Sequence, residues 1–230
     1  KANGNEIIFQ KLSGSSQGFT LALSQSLSTT SAHILFGITS GSYSLAVSGA
    51  VDKNKFNHVC AVYDRSNEEG KLKLYSNQVL IAESTNTQIF NEIDFNISPM
   101  YIGSGSIQTG LSLNNLSFIP DRTFSGSLDE AKVFHAVRTV QDQKNAENRS
   151  IYASNNLKLY FKFNEPSGSI GNNAIVLDSS GKSLHSTVNN YSLYNRLTGS
   201  YPQALSSEIN TLNPVLFPGF GPVSALNSSL

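Results

Sequence analysis

The chain has 230 residues, of which 39% are hydrophobic and 14% are charged, and its 16 basic and 16 acidic side chains leave no net charge. This length predicts one or two domains with an ordinary hydrophobic core, and the lack of net positive charge argues against binding to nucleic acid or to an anionic membrane surface. No apolar run approaches the roughly 20 residues of a membrane-spanning helix, so we predict no membrane insertion.

Cys60 is the only cysteine. A single cysteine excludes an intrachain disulfide and a zinc site made of several thiolates. The residues on both sides of Cys60 are apolar, so we predict a buried and unreactive thiol rather than a nucleophile.

The first fifty residues predict two β-hairpins. Apolar runs at 6–12 and 18–23 are separated by a Ser/Gly-rich segment, and runs at 33–38 and 42–47 are separated by a Ser-Gly pair. Such residues between short apolar runs are typical of turns between antiparallel strands. Short strands joined in this way, with almost no helix signal, indicate an all-β sandwich.

The middle of the chain predicts a central strand, a tight turn and two polar loops. Apolar residues nearly adjoin one another over 57–64, which favours a strand covered on both faces. Gln78 occupies a turn position that usually needs glycine, so the turn is either of another type or strained by about 1 kcal/mol. The long polar segments 84–98 and 103–123 are expected at the ends of the sheets, where ligands are commonly bound.

Residues 124–164 predict a strand, a short helix and a second strand. The segment 124–134 alternates apolar and charged side chains after a glycine, and 157–163 alternates cleanly, with leucines and phenylalanines on one face. Between them, Thr139 and Asp142 have the spacing of a capping box at a helix N-terminus.

These segments carry a family resemblance. Phe56-Asn-His-Val-Cys-Ala-Val-Tyr-Asp64 and 71–78 resemble the central strands of a laminin G-like, concanavalin A-like jelly-roll domain, and Phe124-Ser-Gly-Ser-Leu-Asp-Glu-Ala-Lys-Val-Phe134 resembles its last strand. The segment 157–163, followed by Asp178-Ser-Ser-Gly181 and His185, resembles the opening strands of another such domain. The similar segments occur in the family's order along roughly residues 7–190.

The resemblance implies an antiparallel jelly-roll β-sandwich with one short helix and the start of a second, similar module. We assign 1–137 to the first domain, 138–155 to a connecting helix, and 156–230 to the first strands of the second module with an extended tail. Because the chain starts without Met or a signal segment, we expect an internal piece of a longer polypeptide, with the first strand of the family missing.

Relatives of this fold include sugar-binding proteins, which stack sugar rings on aromatic side chains. The chain has 9 Tyr and 13 Phe but no Trp, and Phe56 stands where the family commonly has tryptophan. We select Tyr43, Tyr101 and Tyr191 as carbohydrate-binding candidates because they lie at predicted strand ends. Packing in the core or at its rim is the plainer interpretation of each.

The resemblance also implies a structural calcium ion, for which Asp129 and Asp178 are the candidate ligands. The alternative is that each carboxylate accepts hydrogen bonds from backbone amides. The four histidines, at 33, 58, 135 and 185, have no metal-binding spacing. No other cofactor is expected.

Some relatives cleave polysaccharides, which requires a pair of carboxyl groups that face each other across the scissile bond. Asp129 and Glu130 are adjacent, so on a strand they would point to opposite faces. Glu92 and Asp94 alternate correctly but lie in a loop-like run. We therefore predict that the protein is not an enzyme.

We hypothesise a non-catalytic structural or adhesion module of a large virion protein, such as that of a bacteriophage, or of a bacterial surface protein. Its expected partners are other subunits or domains of a larger assembly and cell-surface glycans, and its expected location is the virion or the cell exterior. The alternative is a carbohydrate-binding module of a glycoside hydrolase, or a degenerate glycoside hydrolase.

Overall fold

The computed structural model describes residues 5–26, 28–67, 69–86, 93, 98–113, 116–120, 122–147, 151, 153–163 and 175–188. The chain divides into two compact units, of which the first comprises Lys1–Ser127 with Val137–Asn148 and the second Leu128–Ala136 with Arg149–Leu230.

Strands dominate both units. In chain order the elements are β1 (Glu6–Ser13), β2 (Gln17–Ser26), β3 (Ser31–Ser40), β4 (Tyr43–Asp52), β5 (Val59–Asn67), β6 (Glu69–Ser76), β7 (Val79–Asn86), β8 (Met100–Ile102), β9 (Ser112–Leu113), β10 (Leu116–Ser117), β11 (Arg122–Thr123), β12 (Ala131–Phe134), α1 (Val140–Glu147), β13 (Leu157–Phe161), β14 (Ile175–Val176) and β15 (Ser186–Thr187).

The first unit contains a six-stranded sheet with the order β11-β1-β2-β3-β4, in which β8 also pairs with β1. The ladders that join β1, β2, β3 and β4 are antiparallel, whereas β11 runs parallel to β1. The two hairpins that the Ser/Gly turns predict are therefore confirmed.

Strand β3 is covered on both faces, since every residue from Ile34 to Ser40 is buried. On one face Ile7, Ala22 and Leu35 form a core cluster with Leu111 and Phe118 from the segment after β8. Gly37 makes room for Leu111, because a Cβ at position 37 would lie 2.2 Å from Leu111 Cδ1. The long polar segment 103–123 thus contributes core residues as well as loop.

The second sheet of this unit has the order β5-β6-β7. Strand β4 of the first sheet lies against β6 and β7, and the close approach needs a glycine, because a Cβ on Gly49 would stand 2.7 Å from Ile81 Cδ1. Two antiparallel sheets packed in this way confirm the predicted all-β, jelly-roll type of sandwich.

Strand β5 differs from its prediction as a central strand. In the described sheet it lies at one edge, and among its residues 59–66 only Val62 is buried. The central strand is β6, where Leu72 and Leu74 are fully buried. An uninterrupted apolar run does not distinguish a central strand from an edge strand, because the pairing of a strand depends on residues far away in sequence.

For the turn between β6 and β7 the sequence predicts either another turn type or a strained turn at Gln78, and the structure has the strained turn. Asn77 has φ 50° and Gln78 has φ 61°, so both turn residues are left-handed, as in a two-residue hairpin turn of type I′. Asn77 tolerates this conformation and uses its side chain, since its Oδ1 accepts the His58 N–H at 2.9 Å.

The capping box at α1 is confirmed. The Asp142 N–H donates to the Thr139 hydroxyl at 3.1 Å, and the Thr139 N–H donates to the Asp142 carboxylate at 2.9 Å. The carboxylate's hydrogen bonds from the Thr139 side chain and backbone lower the pKa of Asp142, although slight burial opposes them. In the described part of the chain, no helix has the length and apolar character needed to cross a membrane.

In the second unit β12 pairs with β13, and β14 with β15. The predicted strand over 124–134 is too long, because only Ala131–Phe134 is extended and Glu130 has φ 52°. Likewise β13 ends at Phe161, and Phe163 is left-handed with φ 55°.

Tyr160 is the main departure from the alternation predicted for β13. It is fully buried instead of facing outward. Its hydroxyl donates to Glu130 Oε2 at 2.5 Å, and Lys132 Nζ lies 4.8 Å from the centre of its ring. These partners satisfy the polar end of the side chain, so burial of the whole ring is tolerated.

The pairing of β12 with β13 places residues before and after α1 in the same compact unit. The assignment of 1–137, 138–155 and 156–230 to two modules and a connecting helix does not coincide with this division. The second module stays a prediction, since residues 164–174 and 189–230 lie outside the described part of the chain.

Candidate functional site

Tyr101 lies in β8, the short strand that pairs with β1. It stands opposite Gln10 in the ladder, and 47% of its surface is exposed. The antiparallel pairing with β1 fixes the backbone of Tyr101. Because directly opposite residues of such a ladder project to the same face of the sheet, Tyr101 and Gln10 share one face.

A depression of about 290 Å³ adjoins this ring, and it is lined by Tyr101, Ser104, Gly105 and Ser106. The chain turns into it at Gly103, whose φ of 79° is left-handed. The Gly103 N–H donates to the Ile8 carbonyl at 2.9 Å, and its carbonyl accepts the Phe124 N–H at 2.8 Å. Segment 103–106 therefore leaves β8 at a defined angle.

The carboxamide of Gln10 holds segment 103–106 against the sheet. Gln10 Oε1 accepts the Ser106 N–H at 2.8 Å, and Gln10 Nε2 donates to the Ser106 carbonyl at 2.9 Å. A Cβ on Gly105 would lie 2.3 Å from Gln10 Oε1 and 2.5 Å from Ile7 Cδ1. The backbone can approach the sheet this closely only because residue 105 is glycine.

Gln10 belongs to a buried polar network that spans three strands and the loop. Its Nε2 donates to the Thr20 hydroxyl at 2.9 Å, and that hydroxyl donates to Gln108 Oε1 at 2.6 Å. Gln108 Nε2 donates in turn to the Thr39 hydroxyl at 2.6 Å and to the Gly18 carbonyl at 3.0 Å. The four side chains are at most 1% exposed.

Sequence reasoning missed this network, although a signal for it exists. Gln10 and Thr20 are polar residues inside otherwise apolar strand runs, and a polar side chain at such a position must find a buried partner. The identity of that partner could not be deduced, since Gln108 is far away in the sequence and lies in a segment predicted to be a surface loop.

The other two carbohydrate-binding candidates do not join Tyr101. Tyr43 is half-buried at the start of β4 and does not line the depression. Tyr191 lies outside the described residues. Phe56, at the position where the resemblance would place tryptophan, is 52% exposed and does not line the depression either.

Asp178, a predicted calcium ligand of the second unit, is only 8% exposed. Its Oδ1 accepts the N–H groups of Tyr160 at 3.0 Å and Ser180 at 2.9 Å. Its Oδ2 accepts the Ser180 hydroxyl at 2.7 Å and the Leu184 N–H at 3.0 Å. Burial by itself would raise the pKa of Asp178, but these hydrogen bonds, led by those from Ser180, hold it below its ordinary value.

Asp129, the other predicted calcium ligand, is exposed and precedes β12 by two residues, so it lies outside the strand in which the resemblance places it. Within the described ranges, no three His, Cys, Asp or Glu side chains gather into a group that could hold a metal ion. Calcium binding at Asp129 or Asp178 stays a prediction.

Two buried or paired carboxylates of the first unit have different partners. Glu6 is 1% exposed and accepts the Ser125 N–H at 3.0 Å, whereas Glu83 pairs with Lys71 at 2.8 Å on the other sheet. In the second unit Glu130 pairs with Lys132 at 2.7 Å. Glu92 and Asp94 lie outside the described residues.

Cys60, in β5, is half-buried. Desolvation raises the pKa of its thiol to about 11, although the charge of Arg138 opposes the shift. The thiol is therefore protonated at neutral pH, which fits the predicted unreactive cysteine.

Comparison with known proteins supports the fold predicted for the first unit. No curated protein matches the chain. Residues 1–142, more than half of the chain, match the model of the laminin G family in the concanavalin A-like lectin/glucanases superfamily. This match covers the whole six-stranded sheet, β8 and the depression beside Tyr101. The chain therefore belongs to the concanavalin A-like lectin/glucanases superfamily.

Proposed function

We propose that the first unit is a non-catalytic carbohydrate-binding domain that takes a sugar ring against Tyr101. The observation that carries this proposal is the exposed tyrosine ring beside a polar depression of about 290 Å³. The apolar face of a pyranose packs on an aromatic ring, while its hydroxyls need polar partners at the rim. Ser104 and Ser106 supply hydroxyl groups at that rim.

The described lining of the depression favours a neutral glycan. None of these four lining residues is a Lys, Arg or His, so the described lining offers no cation to pair with the carboxylate of an acidic sugar. A charged sugar placed there would lose hydration without gaining an ion pair. We therefore expect neutral hexoses as ligands and no strong dependence of their affinity on salt.

The described lining of the depression, which contains no carboxylate, supports a domain without hydrolytic activity. Glycoside hydrolysis needs two carboxyl groups about 5 to 9.5 Å apart across the bond to be cleaved. In the second unit, Glu130 is held by Lys132 and the hydroxyl of Tyr160.

We place this domain in a large surface assembly, either a virion such as that of a bacteriophage or a bacterial surface. Support comes from the neutral composition, the single cysteine and the Ser/Asn-rich loops. Binding of cell-surface glycans by many copies would give attachment through multivalency even where each site is weak.

A glycan array with neutral and acidic sugars tests the proposal. The wild-type chain should bind at least one neutral glycan, and Tyr101→Ala should reduce the affinity roughly ten-fold or more, as expected for loss of a central aromatic contact. Phe56→Ala removes an equally exposed ring that does not line the depression, and it should bind as the wild type does. Equal binding by Tyr101→Ala would contradict the proposal.

The alternative, a glycoside hydrolase or its degenerate relative, has its own test. Polysaccharides incubated with the wild-type chain should release no new reducing ends. Hydrolysis that disappears in Glu130→Gln would show that the protein is an enzyme.

A further inference from the structure

We propose that the buried network of Gln10, Thr20, Gln108 and Thr39 positions the sugar-binding segment 103–106, and that Gln10 is its principal positioning residue. The inference rests on the proposed function, because it concerns the same depression. It assigns a role in ligand affinity to side chains that are at most 1% exposed and that cannot touch a ligand themselves.

The carboxamide of Gln10 acts as a clamp on the backbone of Ser106. Both backbone groups of Ser106 are taken by one carboxamide, at 2.8 Å and 2.9 Å. Such a pair imitates the two hydrogen bonds that a neighbouring strand would supply, so segment 103–106 is tied to β1 beyond the last residue of β8. The hydroxyl groups at the rim remain available, because the clamp uses only the backbone of Ser106.

The orientation of this clamp is fixed by its hydrogen-bond partners. An amide can rotate by half a turn, which would exchange its donor and its acceptor and break both bonds to Ser106. The Thr20 hydroxyl prevents this exchange: it donates to Gln108 Oε1 at 2.6 Å, so it must accept from the Gln10 amide nitrogen at 2.9 Å. Gln108 is oriented in turn by Gly18 and Thr39.

The other end of the loop is also anchored to the sheet. The Thr109 N–H donates to the Ser15 carbonyl at 2.7 Å, and its hydroxyl donates to the same carbonyl at 3.0 Å. Leu111 then enters the core above Gly37. Because both ends and the middle of the loop are tied to the sheet, little conformational entropy is left to lose when a sugar binds.

The test compares Gln10→Met with the wild type in two measurements. Methionine keeps the length of the side chain and removes both polar atoms. Hydrogen exchange of the Ser106 amide should become roughly ten-fold faster or more, while the amides of Leu72 and Leu74 in β6 keep their protection. Affinity for the glycan found on the array should fall about ten-fold, in line with two lost hydrogen bonds.

Two further variants separate positioning from a general loss of stability. Thr20→Val is nearly isosteric and removes the hydroxyl that orients Gln10, so affinity should fall about three-fold. Leu74→Ala destabilises the other sheet, and its folded fraction should bind the glycan as tightly as the wild type.

Unchanged affinity in Gln10→Met and Thr20→Val, or loss of affinity in Leu74→Ala of the same size, would overturn the inference. A wild-type chain that binds no glycan would overturn the proposed function and the ligand role of the network together. In that case a faster Ser106 exchange in Gln10→Met would still show that the clamp holds the loop, so the two failures are distinguishable.

Discussion

Gln10 and Ser106 are joined by two hydrogen bonds that replace a strand pairing. Oε1 of Gln10 accepts from the Ser106 N–H at 2.8 Å, while Nε2 donates to the Ser106 carbonyl at 2.9 Å. This pair brings the backbone of Gly105 directly above the sheet. A buried amide therefore shapes the rim of the depression. Substitutions beneath the rim should affect ligand affinity as much as substitutions on it.

Gly105→Ala should destabilise the first unit by about 1 to 3 kcal/mol, the usual cost of forcing a methyl group into a closely packed place. The new Cβ would meet Gln10 Oε1 at 2.3 Å, and Gln10 cannot retreat without breaking its bonds to Ser106 and Thr20. Urea denaturation measures the loss. Ser104→Ala, which leaves the backbone contact intact, is the control and should unfold close to the wild-type midpoint.

Gln78→Gly should stabilise the protein by about 1 kcal/mol, because glycine adopts a left-handed φ without the strain that a side chain adds. The substitution also removes the buried Gln78 Nε2, which has no hydrogen-bond partner among the described residues. Thermal or urea unfolding gives the free-energy difference. The neighbouring Asn77→Gly should destabilise instead, since it loses the bond from the His58 N–H; stabilisation by both variants would refute the explanation.

Asp178 should make the stability of the second unit depend on acid. Its pKa is lowered in the folded state, so the unfolded state binds a proton first as the pH falls. The stabilising contribution is complete above the unfolded pKa of about 3.9 and is lost as the pH falls from there through the folded pKa. The protection factor of the Tyr160 amide, which donates to Asp178 Oδ1, should fall over that range.

Asp178→Asn serves as the matched variant for this titration. The amide cannot accept the same four hydrogen bonds, so we expect a loss of about 2 kcal/mol at neutral pH. Its remaining stability should no longer carry the acid-dependent component. The same pH dependence in Asp178→Asn as in the wild type would assign the titration to another group.

Cys60 should react slowly with alkylating reagents at neutral pH. Its pKa of about 11 lies about 2 units above the ordinary value of 9.0, so the thiolate fraction is lower by roughly 100-fold. Mass spectrometry after timed treatment with iodoacetamide follows the reaction. The chain unfolded in urea is the control and should react at the rate of free cysteine; rapid modification of the folded chain would contradict the assigned burial.

Several elements could be predicted because their causes are local. The hairpins over 6–23 and 33–47 follow from the alternation of apolar residues and from the Ser/Gly turns between them. The capping box of Thr139 and Asp142 needs only a spacing of three residues. The pattern also places Tyr101 at a strand end, and the structure has it in β8 beside a depression; its binding of a sugar stays a prediction.

Other features needed contacts that no local pattern contains. Tyr160 alternates with apolar residues, as an outward-facing side chain would, yet it is buried. Lys132 of the paired strand β12 lies over its ring, and Glu130, the residue before that strand, accepts the hydrogen bond from its hydroxyl. The edge position of β5 depends in the same way on its partners in the sheet.

The amino-acid sequence by itself determined the all-β architecture, the hairpins, the capped helix α1 and the membership of a known superfamily, because periodicity, turn chemistry and family motifs depend on neighbouring residues. Only the tertiary structure decided where the candidate site lies and what supports it. Gln10 meets Ser106 across 96 positions of the chain, and a buried polar group finds its partner through the folding of the sheet rather than through its place in the sequence.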